Sequence, residues 1–185
     1  MKENEKAIQI TKNWIEAFVL GLNLCPFARH PYKYDKIRYV TFEGNDVKAL
    51  CDLLTAEMLL LDDTTPAIVE TTVVIAQNGF SEFEQYLDAL YDADALVAEL
   101  DYEGIYQLAS FHPDYTFEGS ETDDVTNYTN RSPYPMFHLL REDSVTRALD
   151  AFPEVGDILS QNQDTMTKLG LTKVKKMLDD VQREA

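Results

Sequence analysis

The chain has 185 residues, of which 45% are hydrophobic and 11% aromatic, so we predict one globular domain over residues 1–185 with a single core. Its net charge of −17 is uneven, because no Lys or Arg occurs from Ala49 to Asn130 while 18 Asp and Glu residues do. Binding to nucleic acids or anionic membranes depends on clustered cations, so we expect neither as a partner.

Helices and strands alternate in the first part of the chain. Apolar residues at steps of three, four and seven predict a helix from Glu5 to Leu22. Ile37 to Phe42 has the composition of a strand, and a second helix is predicted to begin at Asn45 as its N-cap. Cys51 falls on the apolar stripe of this helix, so we expect it in the core.

A second strand and a third helix follow. The strand from Pro66 to Ala76 is apolar on both faces, which is typical of a strand covered by helices on both sides. Ser81 and Glu84 have the spacing of a capping box at the start of the third helix. The expected buried side of this helix contains Phe83, Leu87, Leu90 and Val97.

The remaining elements complete the predicted fold. Strands are predicted from Ile105 to Phe111 and from Met136 to Leu140, and helices begin near Asp143, Pro153 and Thr172. Strands that alternate with helices favour right-handed crossovers and a parallel or mixed sheet. We therefore predict an α/β sandwich with a mixed sheet of about four strands and flanking helices. A ferredoxin-like α+β arrangement is the alternative.

The segment from Phe111 to Glu142 is the best candidate for a functional element. It contains two of the three histidines and is rich in polar residues, turns, aromatic residues and prolines. Long loops of this kind inside compact domains usually bind ligands or carry catalytic residues. The third histidine, His30, lies in Arg29-His30-Pro31-Tyr32 and is interpreted as part of a surface turn.

Three residues are candidates for catalysis. Cys25 follows the first helix, whose C-terminal end raises a thiol pKa, so we expect a nucleophile there only with a histidine nearby, and otherwise a packed thiol. His112 follows a strand whose carboxyl end is a common ligand position, and its alternative is a hydrogen-bonded turn. His138 lies in an apolar run, where a core histidine is the alternative.

Two arginines are candidates for binding an anion. Arg131, flanked by Asn130 and Ser132, and Arg141 are the first cations after Lys48. A guanidinium group binds a carboxylate or phosphate through two parallel hydrogen bonds. The alternative is a structural salt bridge to one of the many acidic residues.

Three segments, LNLCPFA, FHPDYTF and NRSPYPMFHLLRE, together resemble the family of bacterial and plant proteins called domain of unknown function 1415. The resemblance runs over nearly the whole chain. The positions that match the family motifs are Cys25, Pro26, Phe27, His112, Pro113, Asn130, Arg131, Ser132, Pro133, His138 and Arg141. The resemblance implies a shared site and no particular reaction.

These residues favour an enzyme that acts on a small anionic metabolite, of the Cys/His-dependent hydrolase or transferase class. We expect a pocket between the exit of the first helix and segment 111–142, lined jointly by Cys25, His112, Arg131 and Arg141. One alternative is a non-catalytic metal- or haem-binding protein that uses Cys25, His112 and His138. The other is an acidic module that docks a basic partner through the third helix.

The expected compartment is the cytoplasm. The N-terminal sequence MKENEKAIQI lacks the apolar segment of a secretory signal, and no apolar run approaches the length of a membrane span. Two cysteines are too few for a disulfide framework and should be reduced there. No phosphate loop, GxGxxG, HExxH or CxxC motif occurs, so the sequence predicts no particular cofactor.

Overall fold

A computed structural model describes residues 2–151 and 158–183 of the chain. In chain order, its α-helices and β-strands are α1 (Glu3–Trp14), α2 (Arg29–Lys33), β1 (Ile37–Glu43), α3 (Val47–Asp63), β2 (Thr71–Asn78), α4 (Phe83–Glu99), β3 (Tyr106–Phe111), β4 (Met136–Arg141), α5 (Glu142–Ala151), α6 (Ile158–Leu169) and α7 (Leu171–Arg183). A π-helix (Ile15–Leu20) continues α1, and short 3-10 helices cover Pro26–Ala28 and Val125–Thr129. No helix in the described ranges is long and apolar enough to cross a bilayer.

The four strands form one mixed sheet in the order β1-β2-β4-β3. β1 and β2 pair in parallel, while β4 is antiparallel to both of its neighbours. Consequently β1, β2 and β3 all run in the same direction and β4 runs against them. The prediction of an α/β fold with a mixed sheet of about four strands is confirmed. A ferredoxin-like sheet would not place two parallel strands side by side.

Helices cover both faces of this sheet. On one face, Val74 and Ala76 of β2 pack in a cluster with α3 and α4. On the other face, Val73 and Ile75 pack in a cluster with α1, the π-helix, α6 and α7. β2 is buried on both sides, as the sequence predicted, because consecutive residues of a strand point to opposite faces.

Two details of α3 differ from the predictions. Its N-cap is Asp46, whose carboxylate accepts a hydrogen bond from the Ala49 N–H, whereas Asn45 accepts one from the Phe80 N–H. Cys51 is half-buried and not part of the core, so that prediction was wrong. The buried stripe runs through Leu50, which is fully buried, and Cys51 is turned about 100° away from it at the edge of the stripe.

The start and the buried side of α4 also differ. α4 follows Glu82 without any side-chain cap, so the predicted Ser81–Glu84 capping box is wrong. Leu87 is 41% exposed, while the small residues Ala89 and Ala93 are fully buried against the sheet. The other side of α4 is acidic and exposed, through Glu84, Asp88, Asp92 and Glu99.

The first predicted helix is nearly continuous, but it changes from α to π geometry at Ile15. It ends at a turn in which Asn23 has a positive φ of 55°. Near the other end of the chain, α5 and α7 begin close to the predicted positions. The helix start predicted near Pro153 lies outside the described residues.

Candidate functional site

A cavity of about 590 Å³ opens at the end of the sheet where β1 and β2 begin. Ile37, Thr71 and Leu140 lie side by side in its floor, because Ile37 is paired with Thr71 and Thr71 with Leu140. The segment from Cys25 to Tyr34 forms one wall, and α5 contributes another. The cavity therefore lies between the exit of the first helix and the end of segment 111–142.

The direction of β4 decides which candidates reach this cavity. Because β4 is antiparallel to β2, its carboxyl end meets the amino ends of β1 and β2, which brings His138 and Arg141 to the cavity. His112 follows β3, whose carboxyl end lies at the opposite end of the sheet. The cavity thus lies at the amino ends of the parallel pair and not at the expected carboxyl ends.

Cys25 lines the cavity and is half-buried. It has an extended backbone (φ −135°) and immediately precedes the 3-10 helix, so its thiol lies near the first N–H groups of that helix. Burial raises the pKa of the Cys25 thiol, and the N–H groups of Phe27 and Ala28 lower this pKa by a smaller amount. The thiol is therefore protonated at neutral pH in the ligand-free protein.

His138 lines the same cavity, and Thr71 fixes its orientation. The His138 Nε2 lies 2.7 Å from the Thr71 Oγ1, while the Thr71 hydroxyl donates its proton to the carbonyl oxygen of Leu139. The Thr71 oxygen must therefore accept from the His138 Nε2–H. Burial lowers the pKa of His138 to about 4, so its imidazole is neutral at pH 7. Its Nδ1 keeps a lone pair, which makes no hydrogen bond to any described residue.

The charge of the cavity is opposite to that of the chain. Among the described residues, four cationic residues line it, and the one carboxylate is that of Glu70. The cations are Arg29, Lys33, Arg141 and Arg147. His30 lines the cavity as well, so the residue interpreted as part of a surface turn is both exposed and part of the wall that contains Cys25. In a protein with a net charge of −17, this arrangement favours an anionic ligand.

The Arg141 guanidinium group is partly engaged in hydrogen bonds within the protein. Its guanidinium group donates to the carbonyl oxygens of Leu61, Thr64 and Val69, at and beyond the C-terminal end of α3. The predicted alternative of a salt bridge is wrong, since these partners are carbonyl groups and not carboxylates. The Arg141 Nε is buried without a hydrogen-bond partner in the described structure.

His112 is buried on the other face of the sheet, among side chains of α4. Its Nε2 lies 2.9 Å from the carbonyl oxygen of Phe80, and its Nδ1 accepts a hydrogen bond of 3.0 Å from the Asp114 N–H. The rings of Phe83 and Tyr86 both lie 5.1 Å from the imidazole. Both ring nitrogens are thus used within the fold, which is the arrangement of a hydrogen-bonded turn histidine. Burial lowers the pKa of His112.

The predicted joint site is therefore wrong. Cys25 and His112 lie on opposite faces of the sheet, and neither His112 nor Arg131 lines the cavity that holds Cys25 and Arg141. The proposed metal ligands Cys25, His112 and His138 do not converge either. Among the residues that the structure describes, no group of three or more His, Cys, Asp or Glu side chains has the arrangement of a metal site.

Arg131 stabilises the long loop between β3 and β4 and does not line the cavity. It is 7% exposed, and its guanidinium group donates to the carbonyl oxygens of Tyr115 (3.0 Å) and Thr122 (2.8 Å) while lying 4.6 Å above the ring of Tyr128. The backbone carbonyl of Arg131 accepts a hydrogen bond from the indole of Trp14. These contacts tie both halves of the loop to the first helix.

The neighbours of Arg131 have similar roles. The Asn130 amide donates to the carbonyl oxygen of Ser110, at the end of β3. The Ser132 hydroxyl, which is fully buried, donates to the carbonyl oxygen of Tyr134 at 2.6 Å. Of the four predicted ligand-binding residues, Arg141 alone lines the cavity.

Several cavity residues were not predicted. The sequence does contain a feature that could have identified Arg29 and Lys33, because they form a cationic group directly after Cys25 in an acidic chain. Thr71 and Arg147 have no such feature, since their approach to Cys25 depends on the pairing of β2 with β4 and on the direction in which α5 leaves the sheet.

Comparison with known proteins gives one match. No curated protein and no solved structure matches the chain. The model of a family described as "Protein of unknown function (DUF1415)" matches residues 6–176, which include most of the first helix, the whole sheet and every described residue that lines the cavity. The chain therefore belongs to the DUF1415 family.

Proposed function

We propose that this protein is an enzyme that acts on a small anionic metabolite, bound in the cavity between the exit of the first helix and α5. One observation supports the proposal above all. The cavity brings a cysteine and an unprotonated histidine together with four cationic side chains, in a chain whose net charge is −17. An anion that enters this cavity meets a positive potential next to a nucleophile and a base.

In this proposal Cys25 is the nucleophile and His138 is the base. The free Nδ1 of His138 accepts the thiol proton while the sulfur forms a bond to an electrophilic carbon of the substrate. The electron pair of the bond that breaks stays with the leaving group, which then takes the proton from Nδ1. This scheme fits a hydrolase or a transferase. Thr71 is a positioning residue, since its hydroxyl oxygen holds the Nε2–H tautomer.

The two catalytic groups and the cations have separate roles in this proposal. A raised pKa for Cys25 and a lowered pKa for His138 keep both groups neutral in the empty site. Arg29 and Arg147 lie at the same cavity, and in this proposal they stabilise the negative charge of the bound anion. We propose that the reaction takes place in the cytoplasm and involves neither nucleic acid nor membrane, in keeping with the acidic middle of the chain.

The two cysteines of the chain provide a direct test. Burial raises the pKa of the Cys51 thiol, and the nearby carboxylates of Asp92, Asp52 and Glu99 raise this pKa further. Iodoacetate is an anion, whereas iodoacetamide is neutral and has nearly the same shape. We expect Cys25 to prefer iodoacetate over iodoacetamide at least about fivefold more strongly than Cys51 does, a difference of about 1 kcal/mol. Mass spectrometry of the two peptides measures both rates in one sample.

A matched pair of variants tests the cause of the preference. Arg147→Gln should lower the iodoacetate preference of Cys25, because Arg147 is exposed at the cavity and its described side-chain hydrogen bond goes to Ser144. Lys48→Gln removes the same charge from the start of α3, on the other face of the sheet, and should leave the preference of Cys25 unchanged. Equal preferences at Cys25 and Cys51 would contradict the proposal.

A second test concerns the base. Thr71→Val removes the oxygen that holds the His138 tautomer with little change in side-chain volume. We expect it to slow the alkylation of Cys25 by iodoacetamide more than that of Cys51. No change at Cys25 would contradict the role of His138 as a base.

A further inference from the structure

Much of the wall of the cavity is apolar, beside its cations and a few polar side chains such as Glu70 and Ser144. Apolar residues come from all three parts of the site, and six of them are half-buried: Pro26, Phe27, Ile37, Leu140, Val145 and Ala148. Three of the cations, Arg29, Lys33 and Arg147, are exposed. The charge is therefore concentrated at the mouth, and the apolar surface lies deeper.

The floor has few free polar groups. The Thr71 side chain is occupied on both sides, since its hydroxyl group donates to Leu139 and accepts from His138. His138 keeps one acceptor, its Nδ1. Such a floor does not match a sugar or a nucleotide, whose many hydroxyl and amide groups would lose their hydrogen bonds to water without replacement.

We propose that the ligand is an amphipathic carboxylate, with one anionic group bound at the mouth and an apolar body in the depth of the cavity. This inference rests on the proposed function and specifies its substrate class. Arg29 and Arg147 bind the carboxylate, and Leu140 and Val145 contact the apolar body. The cavity volume of about 590 Å³ lies within the range of small-ligand sites and accommodates a medium-chain acyl or aromatic group.

A series of straight-chain carboxylates tests the proposal. Acetate, butyrate, hexanoate and octanoate are added separately, and protection of Cys25 from iodoacetamide is measured, with Cys51 as the internal control for unfolding. We expect the concentration for half-protection to fall by about two- to fourfold for each methylene group added. Octanamide, which has the chain without the charge, should protect at least about tenfold less well than octanoate. Inorganic phosphate should protect weakly.

Two variants separate the two parts of the ligand. Arg147→Gln should weaken protection by octanoate and leave protection by octanamide unchanged. Val145→Ser should weaken both to the same extent, because it makes the apolar wall polar without changing the charge. Thermal unfolding of each variant establishes that it is folded before protection is compared.

Two results would overturn the inference. If phosphate or acetate protects as well as octanoate, the site binds small anions without an apolar body, and the iodoacetate preference of Cys25 still supports the proposed function. If octanamide protects as well as octanoate, the cations have no part in binding the ligand. Loss of the iodoacetate preference itself contradicts the proposed function, so the two failures are distinguishable.

Discussion

At the scale of single residues, burial sets the protonation of the two groups that the cavity brings together. Cys25 is kept as a thiol and His138 as a neutral imidazole, because each is removed from water and neither has an opposite charge within hydrogen-bonding distance in the described structure. Because burial shifts the pKa of His138, the free energy of unfolding is expected to depend on pH.

The contribution of His138 to stability is predicted to disappear in acid. Its folded-state pKa of about 4 lies below the value of about 6.5 for an unfolded chain, so the unfolded state binds a proton first as the pH falls. The stability linked to His138 is therefore present above pH 6.5 and is lost between about pH 6.5 and 4, by up to about 3 kcal/mol. Urea unfolding across this range measures the loss.

The control for this prediction is the pH dependence of unfolding in the variant His138→Gln. This variant keeps a polar side chain at the position but has no titrating group. Its unfolding free energy should fall less steeply between about pH 6.5 and 4 than that of the parent protein, while the carboxylates and His112 contribute equally to both. Identical slopes would show that His138 is protonated without penalty.

Arg131 and Arg147 are predicted to have opposite roles. Arg131→Gln leaves the buried carbonyl groups of Tyr115 and Thr122 without a charged donor and should lower the unfolding free energy by about 2–3 kcal/mol. Arg147→Gln, at an exposed position, should change it by about 0.5 kcal/mol or less. The rise in Tm caused by octanoate should persist in Arg131→Gln and decrease in Arg147→Gln. If the rise in Tm instead decreased in Arg131→Gln and persisted in Arg147→Gln, Arg131 would be part of the ligand site.

At the scale of helices and strands, the turn after β1 and the turn after β2 are in close contact. A Cβ atom added to Gly79 would lie 1.9 Å from the carbonyl oxygen of Gly44, although no side chain blocks the position. The Gly44 N–H also donates to the carbonyl oxygen of Asn78. The carboxyl ends of the two parallel strands are therefore joined by close backbone contact, in addition to the side-chain hydrogen bonds of Asn45 with Phe80 and of Gln77 with Glu43.

Gly79→Ala should separate these turns and lower the unfolding free energy by about 2–3 kcal/mol, the upper part of the usual range for overpacking, because the new methyl group meets backbone atoms. The control is Gly119→Ala, which has free space around the new methyl group but a φ of +77°, so it carries only backbone strain of about 1 kcal/mol. Chemical denaturation of both variants tests the prediction. A smaller loss for Gly79→Ala than for Gly119→Ala would contradict it.

The elements also show which features the sequence could predict. Apolar periodicity located the helices and strands, because burial of α3 and of β2 depends on which residues are apolar and at what spacing. The caps of α3 and α4 were predicted less well, since Asn45 and Asp46 are equally good candidates until the position of Phe80 is known.

The site was predicted only in part for a different reason. His112 and His138 both lie in one distinctive segment, but His112 follows the carboxyl end of β3, whereas His138 lies within the antiparallel β4 with its side chain on the other face of the sheet. Strand direction within a sheet is a property of the whole topology. No motif in the segment itself indicates it.

At the scale of the whole molecule, electrostatic repulsion between the acidic residues opposes folding. The net charge of −17 repels itself, and several of the ion pairs in the described structure are exposed helical pairs at i, i+4, such as Lys48–Asp52. The buried Glu57 carboxylate is an exception, since Arg38 binds it through two hydrogen bonds of 2.7 and 3.0 Å.

Added salt is therefore predicted to stabilise the protein. Raising NaCl from about 20 to about 200 mM screens the repulsion and should add about 1 kcal/mol to the unfolding free energy, equivalent to a rise in Tm of about 2–4 °C. Arg147→Gln should show the same rise, which separates general screening from chloride binding in the cavity. A Tm that falls with salt would mean that ion pairs contribute more than repulsion.

The π-helix from Ile15 to Leu20 has a consequence for how the chain tolerates changes in length. A π turn contains one residue more than the α turn that it replaces, so it is equivalent to a single-residue insertion. Removing one residue there would restore regular helical geometry, but it would rotate all that follows by about 100° relative to α1. Trp14 is held in place by the loop on one side of this insertion, and Cys25 belongs to the cavity on the other. The position of the Cys25 thiol thus depends on the number of residues in the helix as much as on their identity, and a deletion that makes the helix regular would move Cys25 out of its place in the cavity.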